Sequence, residues 1–435
     1  MTNSIFKLRS LSALSIAIKD GTHGTFKRVK DGMPFLSAKN ITERGHVEWD
    51  DKDDRISKED YISITSSFKP RTNDLLLTVV GSLGRRAIFE DAEIAFQRSV
   101  AFIRPNITVM NPRFLFHVIG DFSFYRQLVQ RSNATAQAGL YLGELAKTAV
   151  PTPEPNEQIR IAFILDTIDE AIAKNERVIS KLKQVRAGML NDLLSYGLDE
   201  HGQLRDPIAH PEKFKDSQLG RIPKKWETIA LGSLCNYIGS GVTPRGGQDV
   251  YTKEGVLFIR SQNVIFEGLK LDDIAYIPMH IHLGMSRSEV FAYDVLFNIT
   301  GASIGRCCAM PDDMGQANVN QHVCILRIPD ATAADSLFLS TVLESTIGQK
   351  QLDALNTCGN RQGLNYQQLG SFMVPWPQQG ERHLIAQHVK KSATYLSKEI
   401  DEVKKLCAVK SGLQDDLLTG RVRVLETIMS AAESL

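Results

Sequence analysis

Apolar residues recur every three or four positions through two long stretches of the chain, which is the pattern of an amphipathic helix. The stretches follow Pro155 and Pro377, and neither contains a proline. They predict helices over residues 156–198 and 379–420, each closing at a glycine (Gly197 and Gly420). Apolar residues at the a and d positions of a heptad predict packing along one seam. The predicted seam residues are Ile161, Leu165, Ile168, Ile172, Ile179, Leu182, Met189, Leu193, Ile385, Val389, Leu396, Val403, Leu406, Leu413 and Leu417.

The two predicted helices could be arranged in either of two ways. Each could lie on its own domain as an ordinary amphipathic helix. A helix of about 40 residues, however, spans roughly 60 Å at 1.5 Å per residue, which exceeds the width of a domain of about 150 residues. Two seams in one chain therefore favour an antiparallel coiled coil, although Ser392, Glu399 and Lys410 interrupt the second seam.

The segments before the two helices have a mixed pattern. Short β-branched and aromatic runs, such as Leu75 to Val80 and Val256 to Arg260, are broken by Gly, Asn and Asp turns. A helical stretch follows in each segment, over 112–131 and 333–355, and each segment closes at Pro-x-Pro. These patterns predict two α+β heads.

The chain repeats itself at a long offset. Ser82-Leu83-Gly84-Arg85 matches Ser303-Ile304-Gly305-Arg306 at an offset of 221, and Arg104 matches Arg327 at 223. The predicted fold is therefore α+β, with two related heads in a pseudo-twofold arrangement, separated by two long antiparallel helices that form a coiled coil. The predicted domains are a first head (1–155), a first helix (156–198), a linker (199–226), a second head (227–378), a second helix (379–420) and a tail (421–435).

Composition narrows the class of protein. The chain has 435 residues, with 51 Lys and Arg against 50 Asp and Glu, so its net charge of +1 excludes a polycation that coats nucleic acid by charge alone. Local basic patches remain compatible with nucleic-acid recognition. The six cysteines show no C-x-x-C spacing, which predicts reduced thiols and no zinc site. We also expect no signal peptide, no membrane span and a cytoplasmic location.

The motifs of common catalytic sites are absent. No Walker loop occurs, and Asn111-Pro112-Arg113-Phe114 lacks the second proline of an adenine methyltransferase motif. The histidines His201, His210, His383 and His388 share no face with carboxylates or cysteines, so no metal site is expected. A nuclease or solitary methyltransferase, and a dimerisation protein whose heads bind proteins, remain alternative hypotheses.

Several segments resemble the specificity subunit of type I restriction-modification systems, and the resemblance covers nearly the whole chain. The segments are RIAFILDTIDEAI (160–172), LGRIPKKWE (219–227), LGSLCNYIGSGVTP (231–244) and GLQDDLLTGRVRV (412–424). The first head departs from the pattern, with Gly21-Thr22-His23-Gly24 in place of Gly-x-Thr-Pro.

The resemblance implies two target-recognition domains and a chain without catalytic activity. Each head would read one half of an asymmetric site on double-stranded DNA, and the helices would set the spacer. Two modification subunits that use S-adenosylmethionine would dock for adenine methylation. Two restriction (motor-nuclease) subunits that use ATP and Mg²⁺ would complete a phage-defence complex.

Candidate DNA contacts follow from side-chain chemistry rather than from the resemblance. Arg, Lys, Asn and Gln on loops read base edges, and Thr and His add polar contacts. Gly84 and Gly305 are expected to serve the turns themselves, and the acidic run 48–54 is expected to face away from DNA. The candidates are Thr22, His23, Lys27, Arg28, Lys39, Asn40, Arg85, Arg86, Gln97, Arg98, Thr243, Arg245, Arg260, Gln262, Asn263, Arg306, Gln321 and His322.

Overall fold

The computed structural model divides the chain into two compact units. Unit 1 comprises Met1–Glu176 and Asp401–Leu435, and unit 2 comprises Arg177–Ile400. The structure describes residues 5–90, 92–132, 139–266, 268–356 and 363–424. Each unit therefore contains one predicted head and a part of each predicted long helix.

Unit 1 begins with nine strands and four helices. Its strands are β1 (Leu8–Ser10), β2 (Ser15–Asp20), β3 (Met33–Leu36), β4 (Arg55–Ile56), β5 (Leu75–Thr78), β6 (Arg86–Ile88), β7 (Ala95–Phe96), β8 (Val100–Pro105) and β9 (Ala149–Pro151), as far as the described residues show. Its shorter helices are α1 (Lys58–Ser67), α2 (Pro112–Ile119), α3 (Phe122–Arg131) and α4 (Leu142–Ala146).

Two sheets form the centre of unit 1. An antiparallel sheet has the order β2-β8-β5-β6, and a smaller sheet has the order β4-β3-β7 with β3 and β7 parallel. Strand β5 is buried along its whole length, because α2 and α3 cover one face of its sheet with apolar side chains. Strands β1 and β9 form a separate antiparallel pair that leads into the first long helix.

The first long helix is α5 (Pro155–Tyr196), which starts in unit 1 and ends in unit 2. It ends at Gly197, whose φ of 63° is the left-handed conformation that glycine favours at a helix end. The prediction of a long helix in this part of the chain is confirmed, and the helix has 42 residues.

The segment predicted as a linker contains structure of its own. Strands β10 (Phe214–Ser217) and β11 (Gly220–Pro223) pair as an antiparallel hairpin. Trp226 follows the hairpin and is completely buried in the main core of unit 2. The charged and Gly-rich composition of residues 199–226 gave no sign of this anchoring.

Unit 2 repeats the architecture of unit 1. Its remaining strands are β12 (Glu227–Ala230), β13 (Tyr237–Ser240), β14 (Val256–Ile259), β15 (Val264–Ile265), β16 (Gly268–Leu269), β17 (Ala275–Ile277), β18 (Glu289–Val290), β19 (Val295–Asn298), β20 (Cys307–Ala309), β21 (Ala317–Val319), β22 (Val323–Arg327) and β23 (Met373–Trp376). Its helices are α6 (Leu231–Leu234), α7 (Met279–Leu283), α8 (Ala333–Glu344), α9 (Thr346–Asn356), α10 (Tyr366–Gly370) and then the long helix α11 (Gln379–Thr419), which returns into unit 1.

The sheets of unit 2 match those of unit 1 strand for strand. The antiparallel sheet β13-β22-β19-β20 corresponds to β2-β8-β5-β6, and β17-β14-β21 corresponds to β4-β3-β7 with β18 added. In both units a glutamine fixes the strand before the long helix. Gln127 exchanges two hydrogen bonds with the backbone of Ala149, and Gln351 does the same with Met373.

The two long helices run antiparallel within each unit. In unit 1, Glu157 near the start of α5 binds Arg423, which follows α11, at 2.7 and 2.8 Å, whereas Asp169 further along α5 pairs with the earlier Lys410. In unit 2, Leu193 of α5 shares a buried cluster with Ile385 of α11. Burial follows the predicted heptad positions, since the seam residues are buried or half-buried and their neighbours in the middle of the helices are largely exposed.

Candidate DNA interface

A loop follows the first sheet strand in each head and is held against the backbone of a second loop. An added Cβ on Gly21 would lie 2.3 Å from the carbonyl oxygen of Gln97, and one on Gly241 would overlap the carbonyl oxygen of Val319. Only glycine permits this approach. Sequence reasoning did not select these two glycines, although both precede candidate residues.

This approach brings several candidates together. In the first head, the Thr22 amide donates to Phe96 at 2.9 Å, and the Arg98 amide donates to the Thr22 carbonyl at 3.0 Å. In the second head, the Thr243 hydroxyl bonds the side chain of Gln321. Thr22 therefore lies beside Gln97 and Arg98, as Thr243 lies beside Gln321 and His322.

A second turn lies beside these loops in each head. It is a short 3-10 turn, over Ala38–Asn40 in the first head and Ser261–Asn263 in the second. The Ala38 amide donates to Ser99 at 3.0 Å, and the Asn320 amide donates to Ile259 at 3.1 Å. The turn with Lys39 thus adjoins the loop with Gln97 and Arg98, and the turn with Gln262 adjoins the loop with Gln321.

Asn40 and Asn263 serve the fold at these turns. They are 5% and 1% exposed, and each accepts a backbone amide at 3.0 Å, from Ser37 and Arg260 respectively. Each side-chain amide also donates to the next loop, to Glu48 at 3.1 Å and to Lys270 at 2.9 Å. Their hydrogen-bonding groups are thus used inside the protein, and we no longer assign them to DNA.

A third turn carries the matched Gly84-Arg85 and Gly305-Arg306. Both glycines have positive φ, 92° and 87°. Arg306 is exposed, whereas Arg85 binds Glu43 at 3.1 Å.

The candidate Arg86 does not belong to the surface. Its guanidinium donates to the Phe116 carbonyl at 2.7 Å and lies 4.5 Å from the Phe116 ring centre. Burial lowers its pKa to about 10. A buried guanidinium with these partners supports the packing of α2, so Arg86 is also withdrawn as a DNA contact.

The remaining candidates differ in whether their side chains already form hydrogen bonds or ion pairs within the protein. Lys27 and Arg245 are exposed, with no side-chain hydrogen bond or ion pair among the described residues. His23 binds Asp20 at 2.6 Å. Arg28 binds Asp54 at 2.7 Å and covers the Phe35 ring. His322 accepts or donates at both ring nitrogens, to Thr300 at 2.6 Å and to Gln321 at 3.1 Å.

The acidic run 48–54 does not face away from the candidate surface. Asp53 binds Lys39 at 2.7 Å, and Asp54 binds Arg28. The hydrogen bond from Lys39, a hydrogen bond from Asn40 and the Asp50 backbone lower the pKa of Asp53 to about 2. The run therefore returns to the turn on which Lys39 stands and borders the candidate surface.

Four of the cysteines in the described residues are buried. Burial raises the pKa of Cys308 and of Cys324 to about 12, and Cys235, with an added effect of Asp294, reaches the same value. Cys407 is exposed, and Cys358 lies outside the described residues. Within the described ranges, His, Cys, Asp and Glu form no group suited to a metal ion. No helix in the part of the chain that the structure describes is long and apolar enough to cross a membrane.

The fold and these turns define a protein with two related heads, and comparisons with known proteins show what it is similar to. The type I restriction modification DNA specificity domain matches residues 20–184. The chain is thus similar to type I restriction-modification specificity subunits, and residues 20–184 carry a DNA specificity domain of that type.

Two named relatives extend over almost the whole chain. The putative type I restriction enzyme MjaX specificity subunit of Methanocaldococcus jannaschii is 23% identical, with 96% of this chain and 94% of the relative covered. The type I restriction enzyme EcoBI specificity subunit of Escherichia coli is 25% identical, with 94% and 83% covered.

Solved structures share the fold. The S subunit of a type I restriction-modification system from M. genitalium matches with a TM-score of 0.58 and 15% identity, covering 96% of this chain and 97% of that one. A chain from a study of complex assembly and conformational transition of the type I R-M system matches with a TM-score of 0.54 and 16% identity, covering 96% and 98%.

Proposed function

We propose that each head of this chain reads one half of an asymmetric, bipartite DNA site. The observation that carries the proposal is that matched turns on one repeated fold present different side chains. Lys39 stands where the second head has Gln262, and Arg98 stands where it has His322. Base edges are distinguished by the donors and acceptors that such side chains offer, so the two heads would prefer different bases.

The long helices would set the distance between the half-sites and dock two modification subunits. Apolar side chains stand exposed on both helices, which is a feature of surfaces that bind another protein. Ile159 and Phe163 are 51% and 52% exposed in unit 1, and Val185 and Tyr395 are 57% and 53% exposed in unit 2.

The chemistry of the complex would come from the partners. Modification subunits would supply S-adenosylmethionine for adenine methylation, and two restriction subunits would supply ATP- and Mg²⁺-dependent DNA cleavage. This chain would bind double-stranded DNA in the cytoplasm and bring the catalytic subunits to the site.

Methylome sequencing of cells with and without the gene tests this function. We expect methylated adenines within one bipartite motif, present only when the gene is present. Unchanged methylation in a strain that retains the modification subunits would contradict the proposal.

A paired insertion tests the spacing role separately. Seven residues added after Ser180 and seven after Lys404 preserve the heptad phase. They add roughly 10 Å, or about three base pairs at 3.4 Å per base pair. Methylation mapping should then show the same half-sites with a spacer longer by about three. An unchanged spacer in a folded variant would show that the helices do not set the distance.

A further inference from the structure

Both heads hold their candidate reading side chain with a carboxylate from the same relative place in the fold. Lys39 Nζ lies 2.7 Å from Asp53 Oδ1. At the matched position, Gln262 Nε2 lies 2.5 Å from Asp273 Oδ2. Neither carboxylate is close in sequence to its partner, so the arrangement is a product of the fold.

The route of the chain explains why the contact occurs twice. The turn with Lys39 follows β3, and Asp53 precedes β4, which pairs antiparallel with β3. The turn with Gln262 follows β14, and Asp273 precedes β17, which pairs antiparallel with β14. The buried Asn40 and Asn263 tie each turn to this returning segment. The two heads have kept the arrangement while changing the side chain that it holds.

We propose that Asp53 and Asp273 are specificity-determining residues that hold Lys39 and Gln262 for base recognition and disfavour binding to unrelated DNA. This inference rests on the proposed function of the heads. A carboxylate beside a reading side chain repels phosphate, and this repulsion acts on every DNA sequence. Only the correct base edge supplies directed hydrogen bonds that offset it.

In the second head the carboxylate also fixes which group is presented. An ionised carboxylate only accepts hydrogen bonds, so the amide nitrogen of Gln262 must face Asp273 and its Oε1 remains the exposed acceptor. Arg260 supports the carboxylate at 3.3 Å. An acceptor in the major groove reads an amino group, so we expect Gln262 to contact adenine N6 or cytosine N4.

In the first head the carboxylate is more enclosed. The Asp53 side chain is 13% exposed and that of Lys39 is 67% exposed. The pKa of Asp53, about 2, keeps the carboxylate ionised under all ordinary conditions. Lys39 retains further N–H donors, which suit the acceptors N7 and O6 of guanine.

The test compares Asp53→Asn and Asp273→Asn with matched controls in the full chain bound to its modification subunits. Asp51→Asn and Asp272→Asn remove the same charge from the same segments at exposed positions that hold neither reading side chain. Binding is measured by fluorescence anisotropy, at several salt concentrations, on a duplex with the mapped site and on a shuffled duplex of equal length.

We expect each test variant to bind the shuffled duplex about two- to fivefold more tightly, the size of an exposed charge interaction. The slope of log K against log salt should steepen by about 0.9 for each additional phosphate that the variant binds. Site preference should fall in the half-site of the altered head only. In the first head, Lys39→Met combined with Asp53→Asn should show the same half-site preference as Lys39→Met alone, because Asp53 acts on base preference through Lys39. Its affinity for the shuffled duplex should still rise, because the repulsion of phosphate is lost as well.

Equal effects of Asp53→Asn and Asp51→Asn, or of Asp273→Asn and Asp272→Asn, would overturn the inference and leave only net charge. Unchanged binding after removal of the amino group from the base pair that Gln262→Ala relaxes (purine in place of adenine, or pyrimidin-2-one in place of cytosine) would overturn the presented-acceptor argument. A wild-type complex that bound both duplexes equally would instead contradict the proposed function itself, so the two failures are distinguishable.

Discussion

The two units share their sheets but differ in what lies beneath them. In unit 1, Arg86 is half-buried and its guanidinium donates to the carbonyl of Phe116 in α2. At the matched place in unit 2, the buried Cys307 thiol bonds the carbonyl of Ser340 in α8. A thiol and a guanidinium thus serve the matching carbonyl in the two units.

The charges around Arg86 belong to a cluster of five side chains, whereas the described residues at the matching helices of unit 2 show the pair Arg186–Glu344. His117 is completely buried, and its Nε2 lies 2.7 Å from Asp166 of α5. Arg113 also binds Asp166, and Asp169 pairs with Lys410. The corresponding helix of unit 2 has Thr341, whose hydroxyl bonds its own helix. The repeated fold therefore accepts two different interiors beneath the same sheet.

One buried ion pair is the same in both units. Arg104 binds Asp74 at 2.8 and 2.7 Å, and Arg327 binds Asp294 at the same two distances. The carboxylates are 2% and 1% exposed. Removal of one partner strands a buried charge, which accounts for the agreement of the two units at this point.

The largest predicted effect is the loss of stability when the arginine of this ion pair is removed. Arg327→Met and Arg104→Met should each destabilise their unit by about 3 kcal/mol, because each leaves a buried carboxylate unpaired. The thermal midpoint should fall by roughly 6–12 °C, at about 2–4 °C per kcal/mol for units of this size. Differential scanning calorimetry measures both variants. A large effect in one unit and none in the other would contradict their equivalence.

The second predicted effect is a loss of base preference in one half-site, with the other half-site unchanged. Gln262→Ala should relax the second half-site, by about 1–3 kcal/mol of discrimination for a lost base contact, and leave the first unchanged. Lys39→Ala should do the reverse. Binding-site selection with the assembled complex measures both. Asn263→Ala is the contrasting variant, since it removes buried hydrogen bonds and should lower stability by about 1–3 kcal/mol. Equal relaxation of both half-sites by Gln262→Ala would show that the heads do not read independently.

The repeat was easiest to predict at positions where both heads have the same residue type. The matches of Gly84 with Gly305 and of Arg104 with Arg327 correspond to equivalent positions in the two folds. The match of Asp74 with Asp294, at an offset of 220 residues, was not among the predicted matches. The two long helices were predictable because heptad periodicity persists over many turns.

The contacts of the acidic run 48–54 could not be predicted from residue matches or from periodicity. Asp53 reaches Lys39 only because β4 pairs with β3, and β4 has two residues, too few for any alternating pattern. The burial of Arg86 depends on the Phe116 carbonyl, which a one-dimensional reading does not place. Composition likewise concealed the β10–β11 hairpin, since its strands alternate polar residues with few apolar ones.

The third effect is a pH dependence confined to unit 1. Burial lowers the pKa of His117 from its ordinary value of 6.5, against the opposing effect of the hydrogen bond that its ring donates to Asp166. The unfolded chain therefore binds more protons than the folded chain as the pH falls below that value, so stability should decrease on acidification and recover as the pH rises. Asp169, Arg86 and Arg113 also face this group.

His117→Gln tests this effect, since glutamine keeps a donor for Asp166 and does not titrate in this range. We expect the difference in thermal midpoint between pH 5.5 and pH 7.5 to be smaller in the variant than in the wild type. Hydrogen exchange of the α2 and α8 amides assigns the difference to a unit. An unchanged difference would show that His117 does not control the acid sensitivity of unit 1.

The smallest predicted effect on stability belongs to Arg28, which resembles Arg104 in everything except burial. Arg28 lies 4.6 Å from the Phe35 ring centre and binds Asp54, whereas Arg104 lies 4.5 Å from the Phe68 ring centre and binds Asp74. The side chains of Arg28 and Asp54 are 41% and 47% exposed, so water and salt screen their attraction. Arg28→Met should therefore change the free energy of unfolding by about 0.5 kcal/mol or less. If Arg28 contacts phosphate in the first head, the same variant should weaken binding to all DNA sequences and reduce the salt slope by about 1. A loss of stability comparable to that of Arg104→Met would assign Arg28 to the fold, and would remove it from the candidate DNA interface.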